Sequence, residues 1–131
     1  MDTAELIENF SFLENWEDRY AYLIELGNAL PPMDSADKND QTKVDGCMSQ
    51  VWLKTDIKDN VLTFVGESDA HIVRGLIAVL RIILSGKTKE EIRQTDVESV
   101  FKQLGLESHL SPTRRNGFFA MVERIQSEAA K

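Results

Sequence analysis

A chain of 131 residues that is 42% hydrophobic and 28% charged has the composition of one globular domain, residues 1–131, which excludes the disordered and fibrous classes. Its net charge of −7 disfavours nucleic acid as a partner, because phosphate backbones repel an acidic surface. A lone cysteine, Cys47, excludes an intramolecular disulfide and any metal site built on several thiolates of one chain, and fits a reducing compartment.

The first residues, MDTAELIENF, lack the basic start and apolar core of a secretory signal, so a cytoplasmic protein is expected. Thr3 is read as the cap of a short helix carrying Leu6, Ile7 and Phe10 on one side. From Glu14 to Asn28 the spacing of Trp16, Tyr20, Leu23 and Ile24 predicts a second helix, ended by Gly27 and the Pro31-Pro32 pair. Met33–Lys43 is polar and reads as an exposed loop leading to the cysteine. A first strand is predicted from Val51 to about Ile57 and a second from Val61 to Val65, with Asp59-Asn60 as the hairpin turn although the usual glycine is missing. A third, weakly signalled strand is placed around Thr42–Val44. Trp52 is expected in the core.

Asp69 is read as the N-cap of a long helix to Ser85, stopped by Gly86. Ile72, Val73, Leu76, Ile77, Leu80, Ile83 and Leu84 follow helical spacing there, and the flanking apolar residues make it the central buried helix. This stretch is the most apolar in the chain, but it is too short and too charged (Arg74, Arg81) to span a bilayer. Thr88 and Thr95 are read as caps of two short helices, the second closed by Gly105. Ser111-Pro112 starts the last helix, whose inner face is Phe118, Met121, Val122 and Ile125. The order of elements is α+β, a small antiparallel β-sheet packed with helices.

Cys47 lies in Val44-Asp45-Gly46-Cys47-Met48-Ser49-Gln50, at a junction of loop and strand. Gly46 gives the backbone freedom beside the thiol, and functional groups are often carried on loops set by a rigid scaffold. The local sequence leaves a second reading open, that Cys47 is a small buried hydrophobe. Dithiol redox chemistry needs a second cysteine. A cysteine hydrolase needs a histidine base and oxyanion donors, and neither His71 nor His109 lies in a hydrolase motif. No phosphate-cradling glycine loop is present.

Gly46-Cys47-Met48-Ser49-Gln50-Val51-Trp52-Leu53, Ser68-Asp69-Ala70-His71-Ile72-Val73-Arg74-Gly75-Leu76-Ile77-Ala78 and His109-Leu110-Ser111-Pro112-Thr113-Arg114-Arg115-Asn116-Gly117 resemble, in order, three signature segments of the SufE family. Trp16–Tyr20 and Tyr22–Gly27 add to the match, which covers nearly the whole chain. The resemblance implies a fold similar to that of the IscU scaffold. It also implies a sulfur acceptor and activator rather than a stand-alone enzyme. A pyridoxal-phosphate cysteine desulfurase of the SufS type leaves a persulfide on its own cysteine, Cys47 takes the outer sulfur, and a SufBCD-type scaffold receives it for iron–sulfur cluster assembly. The cofactor belongs to the partner, and no metal site is implied. The paralogue CsdE, which serves CsdA, carries similar motifs, so the cognate desulfurase stays open. The alternative is an interaction module that stimulates a desulfurase by docking without carrying sulfur.

The resemblance also implies roles for single residues. Cys47 is the persulfide acceptor. Asp69 sits where the family contacts the desulfurase, and Arg114 matches an arginine near the cysteine that can favour a thiolate. His71 and Arg74 share roughly one helix face and Gln50 can bond the cysteine loop, all three as supporting residues. The sequence departs from the family at Met48, where glutamine is usual, and at Arg115, where a small residue is usual.

Overall fold

A helix apolar on nearly all sides has to be enclosed by other elements, and the computed structural model, which describes residues 1–131, is arranged around one. Helix α3 (His71–Leu84) buries Val73, Gly75–Leu80, Ile83 and Leu84. It packs against α2 (Trp16–Asn28) on one side and against strand β2 (Val61–Ser68) on the other. Helix α1 (Thr3–Ser11) closes one end, while α4 (Lys89–Gln94), α5 (Val97–Gln103) and α6 (Pro112–Ala129) complete the wall. One cluster of 26 buried residues draws on all six helices and on the sheet. Each large apolar side chain enclosed in it contributes about 1.5–3 kcal/mol relative to exposure.

The sheet has the order β1-β2-β3 and is antiparallel throughout. Strand β1 (Val51–Lys58) pairs with β2 from Val51 opposite Ser68 to Lys58 opposite Val61. The turn between them has Asp59 at φ 52° and Asn60 at φ 68°, the left-handed pair that a two-residue hairpin requires. Aspartate and asparagine tolerate it without glycine. Along β1, Val51 and Leu53 are buried whereas Trp52 is only half-buried on the opposite face, with the Lys38 ammonium 5.9 Å from its ring centre. Trp52 therefore lies outside the core, contrary to expectation, because strand side chains alternate.

The third strand is not Thr42–Val44. That segment makes a single bridge, Lys43 to Trp52, before the chain turns off at Asp45. Strand β3 is Lys87–Thr88, brought beside the start of β2 by Gly86 at φ 83°.

Several helix ends differ from the sequence reading by one residue. Asp2, not Thr3, caps α1, and Asp96, not Thr95, caps α5. Thr88 forms a reciprocal capping box with Glu91, and Ser111 with Pro112 starts α6. Asp69 is not the cap of α3: Ala70 takes that position with no side-chain bond. Gly27 does not stop α2 but lies buried within it, because the helix continues to Asn28. No helix is long and apolar enough to cross a membrane.

Gly27 and Gly75 face each other where α2 and α3 meet. A Cβ on Gly27 would lie 2.7 Å from the Gly75 nitrogen, and one on Gly75 would run into the Leu23 carbonyl. Gly75→Ala is expected to lower the unfolding free energy in urea by roughly 1–3 kcal/mol, as overpacking does, although alanine is the better helix former by about 1 kcal/mol. An unchanged or higher urea midpoint would show that the two helices can separate at no cost.

Candidate functional site around Cys47

The loop from Val44 to Gln50 leaves the bridge with Trp52 and returns into β1. Gly46 holds φ 88°, a conformation costly for a residue with a Cβ, and the bend turns Cys47 inward toward α6. The thiol is half-buried, with Sγ 3.6 Å from the Gly117 carbonyl oxygen, to which it donates a weak hydrogen bond.

Sγ borders a small cavity of about 30 Å³, room for roughly one water-sized occupant. Met48 and Ser49 line it from the loop, Val73 and Leu76 from α3, and Thr113, Arg114, Gly117, Phe118 and Met121 from α6. Met48 lies at the mouth and is 86% exposed.

Asp69 bonds the far end of the loop. Its carboxylate accepts the Gln50 N–H at 3.1 Å, and its own N–H donates to the Gln50 carbonyl at 3.4 Å. Gln50 opposite Asp69 is the next step of the β1–β2 ladder beyond Val51 opposite Ser68. The carboxylate thus continues the sheet past the point where α3 begins. Ser68, buried beside it, accepts the Ala70 N–H at 3.2 Å. In Gln50 it is the backbone that holds the loop, while the side chain is exposed.

The remaining expected site residues lie around this centre at different distances. Arg114 lines the cavity with its side chain exposed at the mouth. Arg74 does not line it; its Nε is 3.2 Å from Glu67, which is also 4.0 Å from Lys38. His71 is exposed in the first turn of α3 and is not part of the cavity wall. His109 stacks on Trp16 at 3.8 Å. Val73, Leu76, Phe118 and Met121 are legible in the sequence as core positions but not as cavity walls. Their signal is apolar helical spacing, which does not say what an apolar face will meet.

Burial pushes the Cys47 thiol pKa up, and the Asp45 carboxylate nearby pushes it further in the same direction. At rest the site therefore holds a protonated thiol, and the Arg114 guanidinium does not reverse this. Alkylation of the free protein by iodoacetamide is expected to show a pH–rate midpoint above that of a small peptide thiol. Asp45→Asn should lower the midpoint only part of the way, since burial is the larger cause. A midpoint at or below the peptide value would contradict this electrostatic account.

Comparison with other proteins gives the family and the fold. The family described as SufE, Fe-S metabolism associated domain, matches residues 4–129. A SufE-like protein of Rhizobium meliloti is 51% identical, the match covering 95% of this chain and 92% of that protein. Another from Rhizobium etli is 46% identical over 95% of this chain and 87% of its own length. The solution structure of a hypothetical protein from Thermus thermophilus superposes with a TM-score of 0.80 at 22% identity, covering 98% of this chain and 93% of that one, so the two share a fold. With a family match over nearly its whole length and SufE-like relatives at about half identity, the chain belongs to the SufE family, associated with iron–sulfur metabolism.

Proposed function

We propose that this protein is the sulfur acceptor and activator of a PLP-dependent cysteine desulfurase of the SufS or CsdA type, working in the cytoplasm and passing sulfur toward a SufBCD-type scaffold. The observation that carries this reading is the setting of Cys47. It is a lone thiol on a loop, half-buried against an apolar cavity with room for about one further atom. Persulfide relay needs one nucleophile and no resolving thiol.

In the proposed step the Cys47 thiolate attacks the outer sulfur of the donor's persulfide. A new S–S bond forms on Cys47 as the donor's S–S bond breaks, and the donor cysteine leaves as a thiolate. Cys47 becomes Cys47–S–SH once the transferred sulfur is protonated, so one sulfur moves with no net oxidation. The reacting form is the thiolate, which the resting site disfavours. The step therefore requires the loop to leave its cavity at the donor's surface. On the return, the apolar walls would shield the transferred sulfur from stray thiols. In this reading the donor is met by Arg114, which lines the cavity mouth, and Asp69, which bonds the base of the loop, with His71 and Arg74 as more distant candidates.

Intact-mass spectrometry after incubation with an active desulfurase and L-cysteine tests the reading. One sulfur is expected to be gained, removable by reductant and absent in Cys47→Ser. Stimulation of the desulfurase with no gain of sulfur, retained in Cys47→Ser, would replace the carrier by a docking module.

A further inference from the structure

The segment before the cysteine loop leaves a turn at Asp40–Thr42 and bridges to β1 at Lys43, with one side facing β1 and the other facing α6. Toward β1, Thr42 accepts the Leu53 N–H at 2.8 Å and Val44 donates to Val51 at 2.9 Å. The alternate carbonyls, those of Gln41 and Lys43, point the other way, as residues two apart in a strand do. Both are taken by a single side chain from α6. Arg124 Nη1 donates to the Lys43 carbonyl at 3.0 Å, and Nη2 donates to the Gln41 carbonyl. The third corner of the guanidinium, Nε, lies 3.6 Å from Glu128 one turn on, and Glu128 also pairs with Lys131 at 3.1 Å. Helix α6 itself is fixed in the core by Met121, Val122 and Ile125 on either side of Arg124. The fork thus substitutes for a neighbouring strand, which a lysine ammonium cannot do in the same geometry.

Beyond this point the loop is nearly free of bonds. Among Asp45, Gly46, Cys47, Met48 and Ser49 the one hydrogen bond to the rest of the protein is Cys47 Sγ to Gly117. The next restraint is Gln50 with Asp69. A cavity lined by Val44, Asp45, Ala120, Glu123, Arg124 and Ser127 lies between the loop and α6.

We propose that Arg124 is a positioning residue, bracing to α6 the segment from which the Cys47 loop departs, so that the loop swings as a short segment between two posts: Lys43–Val44, held by Arg124 together with the Val44–Val51 bond, and Gln50, held by Asp69. The clamp sets the length of the moving arm and hence the rest position of the thiol. Its bearing on sulfur transfer rests on the reading of Cys47 as acceptor. The clamp itself is tested without any donor, so failure of transfer and failure of the clamp are distinguishable.

The test is made on the full chain, with Arg124→Gln and Arg124→Lys. It measures the iodoacetamide rate at Cys47 and the exchange of the bonded Thr42, Lys43 and Val44 amides at the start of the loop against those of Leu62 and Phe64 in β2. Loss of charge-assisted bonds at a local post is expected to raise both the alkylation rate and loop exchange roughly 3- to 10-fold, with the β2 amides unchanged. Lysine is expected not to restore the original rates. Glu128→Gln, which leaves Arg124 in place but unoriented, is expected to give a smaller rise in the same direction and serves where Arg124→Gln does not fold. An alkylation rate within about twofold of the parent in Arg124→Gln, or no rise at all in Glu128→Gln where Arg124→Gln does not fold, would overturn the clamp. So would full rescue by lysine, or loop and β2 amides accelerating together.

Discussion

Two helix backbones can touch only where neither carries a side chain, and α2 and α3 touch at Gly27 and Gly75. This contact sets how deeply α3 lies. With α3 drawn against α2, its opposite face seats Leu76, Ile77, Leu80 and Ile83 in the core, where a Cβ on Gly66 of β2 would lie 2.7 Å from Ile77 Cγ2. The helix is thereby held at close quarters on both sides. Gly75 also lies between Val73 and Leu76, the two α3 residues that wall the Cys47 cavity. This close helix–helix contact is thus adjacent to the site. Closely packed interiors transmit displacement rather than absorb it, so the cavity wall is a fixed surface against which the loop can move.

The ends of the Cys47 loop are defined by what stops the sheet. β1 and β2 end their regular pairing at Val51 and Ser68. One further rung is made partly by a side chain, the Asp69 carboxylate on the Gln50 N–H. The other half of this rung, the Asp69 N–H on the Gln50 carbonyl, is 3.4 Å long, beyond the usual range for such a bond, so the rung holds less firmly than a regular ladder pair. On the other flank, Arg124 supplies two donors where a strand would have supplied N–H groups. The loop therefore hangs between two ends that each combine a backbone bond with a side-chain bond, Val44 to Val51 with Arg124 on one flank and Asp69 to Gln50 on the other. This gives it defined ends while keeping the cost of moving it well below the cost of breaking the sheet.

How much of this is legible in the sequence follows from the range of each interaction. The central helix, the hairpin at Asp59-Asn60, the Thr88 capping box and the Ser111-Pro112 start depend on neighbours within a few residues, and periodicity and turn chemistry carry them. Gly27 reads as a stop because glycine signals a helix end locally, whereas here it is required by Gly75, far along the chain. Asp69 reads as a cap because its position beside a helix is also a position beside a strand end, and the competing partner is the Gln50 amide. The size of Trp52 suggests the core, while the alternation of β1 assigns that layer to Val51 and Leu53. Arg124 gives no local signal at all, since its partners Gln41 and Lys43 are carbonyls and any residue offers one. Motif resemblance locates Cys47, Asp69 and Arg114 together, but the cavity itself depends on which faces of α3 and α6 meet.

The thiol's electrostatics divide into a part that stays with the cavity and a part that travels. Desolvation, the larger cause of the raised pKa, belongs to Val73, Leu76, Phe118 and Met121, and is lost when Sγ leaves them. The Asp45 contribution comes from a residue in the same loop, two positions away, and moves with the sulfur. Each unit of pKa that desolvation contributes suppresses the thiolate about tenfold. On the proposed reading, a swing out of the cavity raises the thiolate fraction without any base being brought to it, while the Asp45 contribution travels with the sulfur and opposes that rise. Cations at the mouth, Arg114 among them, act on the exposed position and not on the buried one, which is why Arg114 can line the cavity while the resting pKa stays high. On the proposed reading, exposure and reactivity are coupled chiefly by solvation, the larger cause of the raised pKa, and the geometry of the loop ends decides how far the sulfur must travel to gain both.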